Sequence, residues 1–228
     1  MGKNSFFFSN ERYQIEDDFY RGLWQVHRKT VVLNMIGSGK TVLDAGCYDG
    51  SYLIDIKKQN NDVYGIDASI NAVEKARGMG LKVKQGSLEE RWDYEDNTFD
   101  VVYSGEVIEH IIDTDFYINE IFRVLKAGGY FVVTTPNLAC LSKRFLLLIG
   151  RNPYQEASFS FPAGAVGHMR EYTFDLLRDY MLTKGFSVIE SKSDIVSIPY
   201  CPAVIQRFLG ITLPMLGRSI IVKFQLKK

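Results

Sequence analysis

Residues 42–50 read Val-Leu-Asp-Ala-Gly-Cys-Tyr-Asp-Gly and decide the fold class of this chain. A short apolar run enters a glycine-bearing turn through an aspartate, which is typical of a ligand loop at the carboxyl end of a parallel strand. A dinucleotide loop reads G-x-G-x-x-G, so that bare backbone approaches a pyrophosphate. Here Asp44, Gly46 and Gly50 give the spacing D-x-G-x-x-x-G. A carboxylate in the place of the first glycine disfavours phosphate and suits a ligand that carries positive charge.

Hydrophobic periodicity around this loop predicts strands that alternate with helices. Strands are predicted over 41–44, 63–67, 81–85, 99–104, 130–135, 186–191 and 220–225, and helices over 11–36, 51–60, 69–77, 116–125 and 173–184. Gly128-Gly129 is expected to stop the fourth of these helices. The alternation predicts a three-layer α/β fold with a parallel sheet, in which ligands bind beyond the carboxyl ends of the strands.

The bulk composition is that of an ordinary globular chain. Its 228 residues are 46% hydrophobic and 24% charged, which suits a single domain over residues 1–228. Lys+Arg and Asp+Glu each number 27, so the basic excess of a nucleic-acid-binding domain is missing. Three widely separated cysteines argue against a disulfide framework or a zinc motif, and residues 1–10 have no signal-peptide core. We therefore expect a cytoplasmic protein with a small-molecule or glycan partner and no nucleic acid.

A second carboxylate stands at the end of the next predicted strand. Asp67 lies in Tyr-Gly-Ile-Asp-Ala-Ser, and a carboxylate about 20 residues after a loop glycine can accept hydrogen bonds from both ribose hydroxyls. The alternative is an aspartate that caps a helix. Asp44 and Asp67 together predict an adenosine-type ligand. Residues 37–41, Gly-Ser-Gly-Lys-Thr, are similar to the end of a P-loop but precede a strand, which disfavours a nucleoside triphosphate.

Three runs carry a family resemblance. The Asp44 loop, the stretch Ser-Gly-Glu-Val-Ile-Glu-His at 104–110 and Arg-Val-Leu-Lys-Ala-Gly-Gly-Tyr at 123–130 resemble motifs of class I S-adenosylmethionine-dependent methyltransferases. The likeness is greatest to small-molecule enzymes similar to the ubiquinone and menaquinone O-methyltransferases. It implies S-adenosylmethionine as the cofactor and S-adenosylhomocysteine as the product. It also implies a Rossmann-like, mostly parallel seven-stranded sheet whose last strand is antiparallel. We expect no metal, because the sulfonium leaving group is already activated.

The resemblance also implies which residues bind the cofactor. They are Asp44, Gly46, Cys47, Gly50, Asp67, Ala68, Ser87, Leu88, Ser104 and Glu106. Ser87 departs from the acidic residue that often holds the adenine amino group at this position. His110 would lie toward the methyl acceptor, although a histidine that packs on the next helix would look the same in sequence.

Residues 138–172 form a long apolar insert, which predicts a lid on the acceptor side. The insert ends in Gly-His-Met-Arg-Glu-Tyr, similar to a run in bacterial methyltransferases linked to cell-surface glycans and secondary metabolites. If this segment is extended, His168, Arg170 and Tyr172 share one side and supply a base, an anion clamp and an aromatic wall. The alternative is a surface ion pair between Arg170 and Glu171, with His168 packed on the lid.

Residues 1–39 are predicted to form a helical cap over the cofactor, with Arg21 or Arg28 available to a carboxylate. Residues 195–217 have Arg207 as their only charge, but three prolines interrupt them. We expect core packing there and no stable membrane insertion, with a weak interfacial contact or a homodimer face as alternatives.

The sequence therefore predicts a methyltransferase that acts by in-line displacement, with His168 or His110 as the base. The acceptor oxygen would belong to a small molecule or a cell-surface glycan precursor. An NAD-dependent oxidoreductase, which Asp44 disfavours, and a non-catalytic cofactor-binding or assembly protein stay as alternatives.

Overall fold

The computed structural model describes residues 25–151, 153, 168–198 and 200–227. Helix α1 covers residues 25–36. The elements that follow are β1 (Thr41–Ala45), α2 (Ser51–Lys58), β2 (Asp62–Asp67), α3 (Ile70–Gly78), β3 (Lys82–Gln85), β4 (Phe99–Gly105), α4 (Thr114–Val124), β5 (Leu125–Pro136), α5 (Leu141–Leu148), α6 (Phe174–Thr183), β6 (Phe186–Lys192), α7 (Ala203–Thr212) and β7 (Ser219–Leu226). Short 3₁₀ turns lie at Ile108–His110 and Pro214–Leu216.

The seven strands form one sheet in the order β3-β2-β1-β4-β5-β7-β6. All neighbouring pairs from β3 to β5 are parallel, whereas β7 runs antiparallel to both β5 and β6. This confirms the mostly parallel sheet with an antiparallel last strand. The chain leaves β1 toward β2 on one side and returns to β4 on the other, so the strand order reverses between β1 and β4. Such a switch point opens a crevice at the carboxyl ends of the strands.

Apolar residues on the two faces of the sheet form two cores, which gives three layers. Because side chains alternate along a strand, Leu43 packs with α4 and α6, while Val42 packs with α1, α2 and α3. Val32 and Ile36 of α1 are buried in the second core. The described part of the predicted cap is thus a packed element of the helix layer, and residues 1–24 lie outside the described residues.

Three of the predicted helices have a side-chain cap at their start, and the predicted end of one helix is wrong. The side chains of Ser69, Asp113 and Thr173 each accept a backbone N–H at the start of α3, α4 and α6. The predicted stop at Gly128-Gly129 is wrong, because α4 ends at Val124 and β5 starts at the next residue. Gly128, with φ of 72°, lies instead in an irregular part of β5, where the pairing with β4 shifts register.

Residues 195–217 also differ from the expectation of core packing. Ile195 and Val196 are buried, but Val204 is 75% exposed and Phe208 is 62% exposed on α7. The polar Gln206 and Gly210 of α7 face inward instead. Within the described residues, no helix combines the length and the apolar character needed to cross a bilayer.

Asp194 ties the region after β6 to the start of β7. It is 4% exposed and accepts hydrogen bonds from the backbone N–H of Ile195 at 2.7 Å, and from the N–H and hydroxyl of Ser219 at 3.1 and 2.9 Å. Replacement by alanine leaves these buried donors without an acceptor. We therefore expect Asp194→Ala to lower the free energy of unfolding by about 3 kcal/mol in urea titrations. The exposed Asp175→Ala on α6 should change it by less than about 0.5 kcal/mol, and equal stability of the two variants would contradict this account.

Candidate active site

The loop after β1 is folded tightly against β2. The backbone N–H groups of Gly46 and Cys47 both donate to the carbonyl of Ile66, at 2.8 and 3.2 Å. Gly46 has a φ of 94°, and a Cβ built there would lie 2.4 Å from Cγ2 of Val107. Only glycine meets both conditions, since other residues are strained at such a φ. Gly50, with φ of 78°, directly precedes α2, so the loop leads into a helix as the sequence predicts.

Asp67 lies beside this loop at the end of β2. One carboxylate oxygen accepts the N–H of Tyr48 at 2.8 Å, and the other accepts the N–H of Ser69 at 2.9 Å. Asp67 is half-buried, and each of its oxygens has a further lone pair for a ligand. The carboxylate therefore joins the Asp44 loop to the start of α3. Asp67 therefore stabilises the loop and also lies where the sequence predicts a contact with the ligand.

A cavity of about 200 Å³ lies at the carboxyl ends of β1 and β4. Its lining residues are Arg28, Asp44, Gly46, Cys47, Tyr48, Ser51, Tyr52, Tyr103, Gly105 and Glu106. The rings of Tyr52 and Tyr103 stack with their centroids 5.5 Å apart. Aromatic faces and a carboxylate in one small cavity attract a cationic ligand.

Asp44 is the buried carboxyl group of this cavity, with 2% exposure. Burial, with a smaller contribution from the negative charge of Asp67, raises the pKa of Asp44 to about 8. Near neutral pH this carboxyl group is therefore mostly protonated unless a cation lies beside it. A bound ammonium or sulfonium group would favour the ionised form.

The raised pKa predicts a pH-dependent affinity for S-adenosylmethionine. Below about pH 8 a proton must leave Asp44 before the cation binds, so the affinity should rise with pH, approaching tenfold per unit. The rise should level off near pH 8, where the α-amino group of the ligand also begins to lose its proton. Calorimetric titrations between pH 6 and 8 measure this slope. Asp44→Asn should bind weakly and without the slope, and an equally flat profile in the unmodified protein would contradict the prediction.

An ion pair separates this cavity from a second one of similar volume. Arg28 of α1 lies 3.0 Å from Oε1 of Glu106, which also accepts the hydroxyl of Thr134 at 2.9 Å. Arg28 and Glu106 line both cavities, and Asp194 and Ser219 line the second. Of the two arginines that the sequence offered, Arg28 lies at the cavity and Arg21 is outside the described residues. Sequence reasoning undervalued Arg28, because nothing in the periodicity of α1 shows that it faces Glu106.

Ser104, near the end of β4, and Glu106, just after it, have different surroundings. Ser104 is fully buried, and its hydroxyl accepts a hydrogen bond from the hydroxyl of Tyr117 at 2.7 Å. The backbone N–H of Glu106 donates to the carbonyl of Thr134. Glu106 lines the cavity, and the cofactor-binding roles of both residues stay predictions.

The predicted adenine contacts lie beyond the ends of β2 and β3. The carbonyl of Ala68 accepts from Gln85 at 3.3 Å, and the Ser87 hydroxyl accepts the N–H of Glu89 at 3.1 Å. The carbonyl of Leu88 accepts the indole N–H of Trp92 at 3.3 Å. These three residues lie outside the lining of the cavity, on the Asp67 side.

At the acceptor end, the structure brings the two predicted histidines together. The rings of His110 and His168 meet edge to face, with centroids 5.0 Å apart. The backbone N–H groups of Met169 and Arg170 donate to the carbonyl of Glu109, at 2.7 and 3.2 Å. These bonds hold the end of the predicted lid on the 3₁₀ turn after β4.

Arg170 and Tyr172 make contacts with other parts of the chain. The Arg170 guanidinium donates to the Thr114 hydroxyl and to the carbonyl of Ile111, at the start of α4. Tyr172 is 4% exposed and belongs to the apolar core. Glu171 pairs with His168 at 3.2 Å and with Lys143 at 3.4 Å, whereas the alternative interpretation paired it with Arg170. The roles of Arg170 as an anion clamp and Tyr172 as an aromatic wall stay predictions.

Glu109 is the residue that sequence reasoning missed. It is 1% exposed, and its Oε2 accepts the Thr135 hydroxyl at 2.9 Å. Burial, with a contribution from Glu106, raises the pKa of Glu109 to about 8. The adjacent Glu-His pair was the available signal, but only the 3₁₀ turn shows that both side chains point to His168.

Comparison with known proteins agrees with this geometry. Residues 21–191 match the model of a family described as a methyltransferase domain. The chain is 32% identical over 160 residues to a "Probable S-adenosylmethionine-dependent methyltransferase" of Mycolicibacterium smegmatis, covering 66% of this chain and 53% of the relative. It is 28% identical over 156 residues to a "Ubiquinone biosynthesis O-methyltransferase" of Psychrobacter arcticus, covering 60% of this chain and 59% of the relative. The chain thus spans between half and three fifths of these relatives.

The fold comparison leads to the same group. A crystal structure titled as a putative S-adenosylmethionine-dependent methyltransferase from Listeria monocytogenes superposes with a TM-score of 0.68 at 15% identity, covering 91% of this chain and 100% of that one. At this identity the likeness concerns the fold alone. Since the family model matches most of the chain, the protein belongs to the class I S-adenosylmethionine-dependent methyltransferases.

Proposed function

We propose that the protein transfers the methyl group of S-adenosylmethionine to an oxygen atom of a small molecule or glycan precursor. The cavity at the switch point between β1 and β4 carries this proposal. It places the buried carboxyl of Asp44 and the faces of Tyr52 and Tyr103 where a cationic ligand would lie. The name of the Psychrobacter arcticus relative supports oxygen rather than nitrogen as the acceptor atom.

The transfer would be a single displacement. A new bond forms between the acceptor oxygen and the methyl carbon, the sulfur–methyl bond breaks, and its electron pair stays on sulfur. Holding the three atoms in line provides much of the acceleration. His110 or His168 would take the hydroxyl proton, and Arg28 lies where it can bind the cofactor carboxylate.

We infer a domain organisation to match. Residues 1–228 would act as one cytoplasmic domain, with 1–39 as a cap over the cofactor and 138–172 as a lid over the acceptor. The support is that Arg28 from the first segment lines the cavity, and that His168 from the second segment contacts His110, in the turn after β4.

Acceptor screening tests the reaction. Protein is incubated with methyl-labelled S-adenosylmethionine and a panel of catechols, phenols, hydroxy acids and sugar acids, with matched amines as the nitrogen controls. The proposal predicts label on an oxygen and one S-adenosylhomocysteine for each methyl transferred. Label on amines only would overturn the O-methyl assignment, and cofactor binding without transfer to any acceptor would favour the non-catalytic alternative.

We also propose that α5 and α7 make a weak contact with an anionic lipid surface. Leu148 is 82% exposed and Val204 is 75% exposed, and Arg144 donates to the carbonyl of Met215, which places α5 beside the turn that follows α7. Residues 138–151 and 195–227 contain basic but no acidic residues. An apolar surface with basic neighbours suits anionic headgroups.

Vesicle sedimentation measures this contact. We expect more protein to sediment with phosphatidylglycerol vesicles than with phosphatidylcholine vesicles, and Phe208→Ser to reduce the bound fraction. The exposed Ile189→Ser on β6 is the matched control. Equal sedimentation with both lipids would contradict the proposal, and a concentration-dependent dimer that Phe208→Ser disrupts would assign the surface to self-association instead.

A further inference from the structure

We propose that Glu109, His110 and His168 bind a divalent transition-metal ion at the acceptor end of the site. One ligand atom from each residue lies within 4.8 Å of the others. The three residues come from two segments, the 3₁₀ turn after β4 and the end of the predicted lid. The proposal revises the expectation of a metal-free site.

Two buried atoms of the cluster have no hydrogen-bond partner. Oε1 of Glu109 and Nδ1 of His110 are both inaccessible to solvent and without a partner among the described residues. An unpartnered buried polar atom costs about 1–3 kcal/mol. A bound cation would offset this cost, because it would accept the lone pairs that the protein leaves unused.

Hydrogen bonds in the surrounding shell engage one polar atom of His168 and one of Glu109, and leave the other atom of each for an ion. His168 Nδ1 lies 3.2 Å from Oε1 of Glu171, and donation from Nδ1 leaves the Nε2 lone pair for an ion. The Thr135 hydroxyl donates to Oε2 of Glu109, which leaves Oε1 for the ion. This arrangement of a carboxylate behind a histidine is common at metal sites.

The donor set indicates the class of ion. Two imidazoles and one carboxylate suit Zn²⁺, Mn²⁺ or Fe²⁺ rather than Ca²⁺, and three protein ligands leave positions open for substrate. Such ions lie about 2.1 Å from their nitrogen and oxygen ligands, so the side chains must close by small rotations. His168 is partly exposed and has room to do so.

The ion would determine which class of methyl acceptor binds, and this inference rests on the proposed methyltransferase function. An acceptor with two adjacent oxygens, such as a catechol or an α-hydroxy acid, could chelate the open positions. Bound to the ion, one hydroxyl would lose its proton to solvent at a lower pH. The resulting oxygen anion would attack the methyl carbon, and the electron pair of the broken bond would stay on sulfur. The ion would then replace a histidine as the group that activates the hydroxyl.

Calorimetric titration with Zn²⁺ or Mn²⁺ alone tests the site in chelator-treated protein. We expect one ion per chain, and a Kd raised at least about tenfold in Glu109→Gln and in His168→Ala. Glu171→Gln, which leaves all three ligands in place, should raise the Kd by a smaller factor. His27→Gln is the control, because His27 is the third histidine of the chain and lies outside the cluster. With Co²⁺, visible absorption bands should appear in the unmodified protein and disappear in His168→Ala.

Two results would overturn the proposal: no stoichiometric binding, or binding that the cluster variants leave unchanged. Titration of the same samples with S-adenosylhomocysteine separates this failure from failure of the proposed function. If the protein binds S-adenosylhomocysteine but no metal ion, the metal-site proposal is wrong and the methyltransferase proposal is unaffected. Loss of thioether binding in the unmodified protein would count against the methyltransferase proposal itself.

Discussion

Asp67→Ala is expected to weaken S-adenosylhomocysteine binding by about 100-fold. Hydrogen bonds to a charged group contribute about 1.5–3 kcal/mol, and the carboxylate would lose those to both ribose hydroxyls. The substitution also removes the acceptor for the N–H groups of Tyr48 and Ser69, so the Asp44 loop becomes less ordered. Calorimetric titration measures the change in Kd.

Asp62→Ala is the matched control for this variant. Asp62 stands at the opposite end of the same strand, where it pairs with Lys82 on the surface. Its removal should leave the Kd within about twofold, because exposed ion pairs contribute little. Asp67 has two roles, the expected binding of ribose and the acceptance of backbone N–H groups from the loop. Asp67→Asn helps to separate them, since the amide keeps one acceptor oxygen but loses the charge. If Asp67→Ala bound the thioether as tightly as Asp62→Ala, the ribose assignment would be wrong.

The second large effect is expected from the histidine pair. Replacing His110 and His168 together with alanine should lower turnover about 10²–10⁴-fold on the acceptor that screening reveals, the range expected for loss of a positioned acid–base group. The affinity for S-adenosylhomocysteine should change little, because the pair lies outside the lining of the cofactor cavity. Single-turnover assays with labelled cofactor measure the rate.

His27→Gln again provides the control, with turnover close to that of the unmodified protein. Near-full turnover in the double variant would show that neither histidine is needed for methyl transfer, either as a base or as a metal ligand. Rescue of turnover by added imidazole in the single variants would favour the base role. Loss of turnover in parallel with metal affinity would favour the ligand role.

Much of the fold could be predicted because local patterns and tertiary contacts agree in it. The Asp44 loop and the caps at Ser69, Asp113 and Thr173 each follow from side-chain chemistry within a few residues. The start of β5 could not be predicted, because Leu125 joins the strand by pairing with Phe99, a contact between residues far apart in sequence. Helix α7 was missed because three prolines flank or interrupt its apolar run.

Part of the candidate site could also be predicted from the sequence. Residues at strand ends, such as Asp44 and Asp67, could be placed because parallel strands all end at one edge. The meeting of His110 with His168 could not be derived, since it depends on backbone bonds between the lid end and Glu109. The Arg28–Glu106 ion pair was hidden for the same reason, as it joins α1 to the residue after β4.

The central claim is that the cavity between β1 and β4 takes S-adenosylmethionine. Calorimetric titration of the unmodified protein with S-adenosylhomocysteine, with NAD as the comparison, tests it most directly. We expect one thioether bound per chain with a micromolar Kd, and no measurable heat from NAD. Binding of NAD in place of the thioether, or of neither ligand, would contradict it.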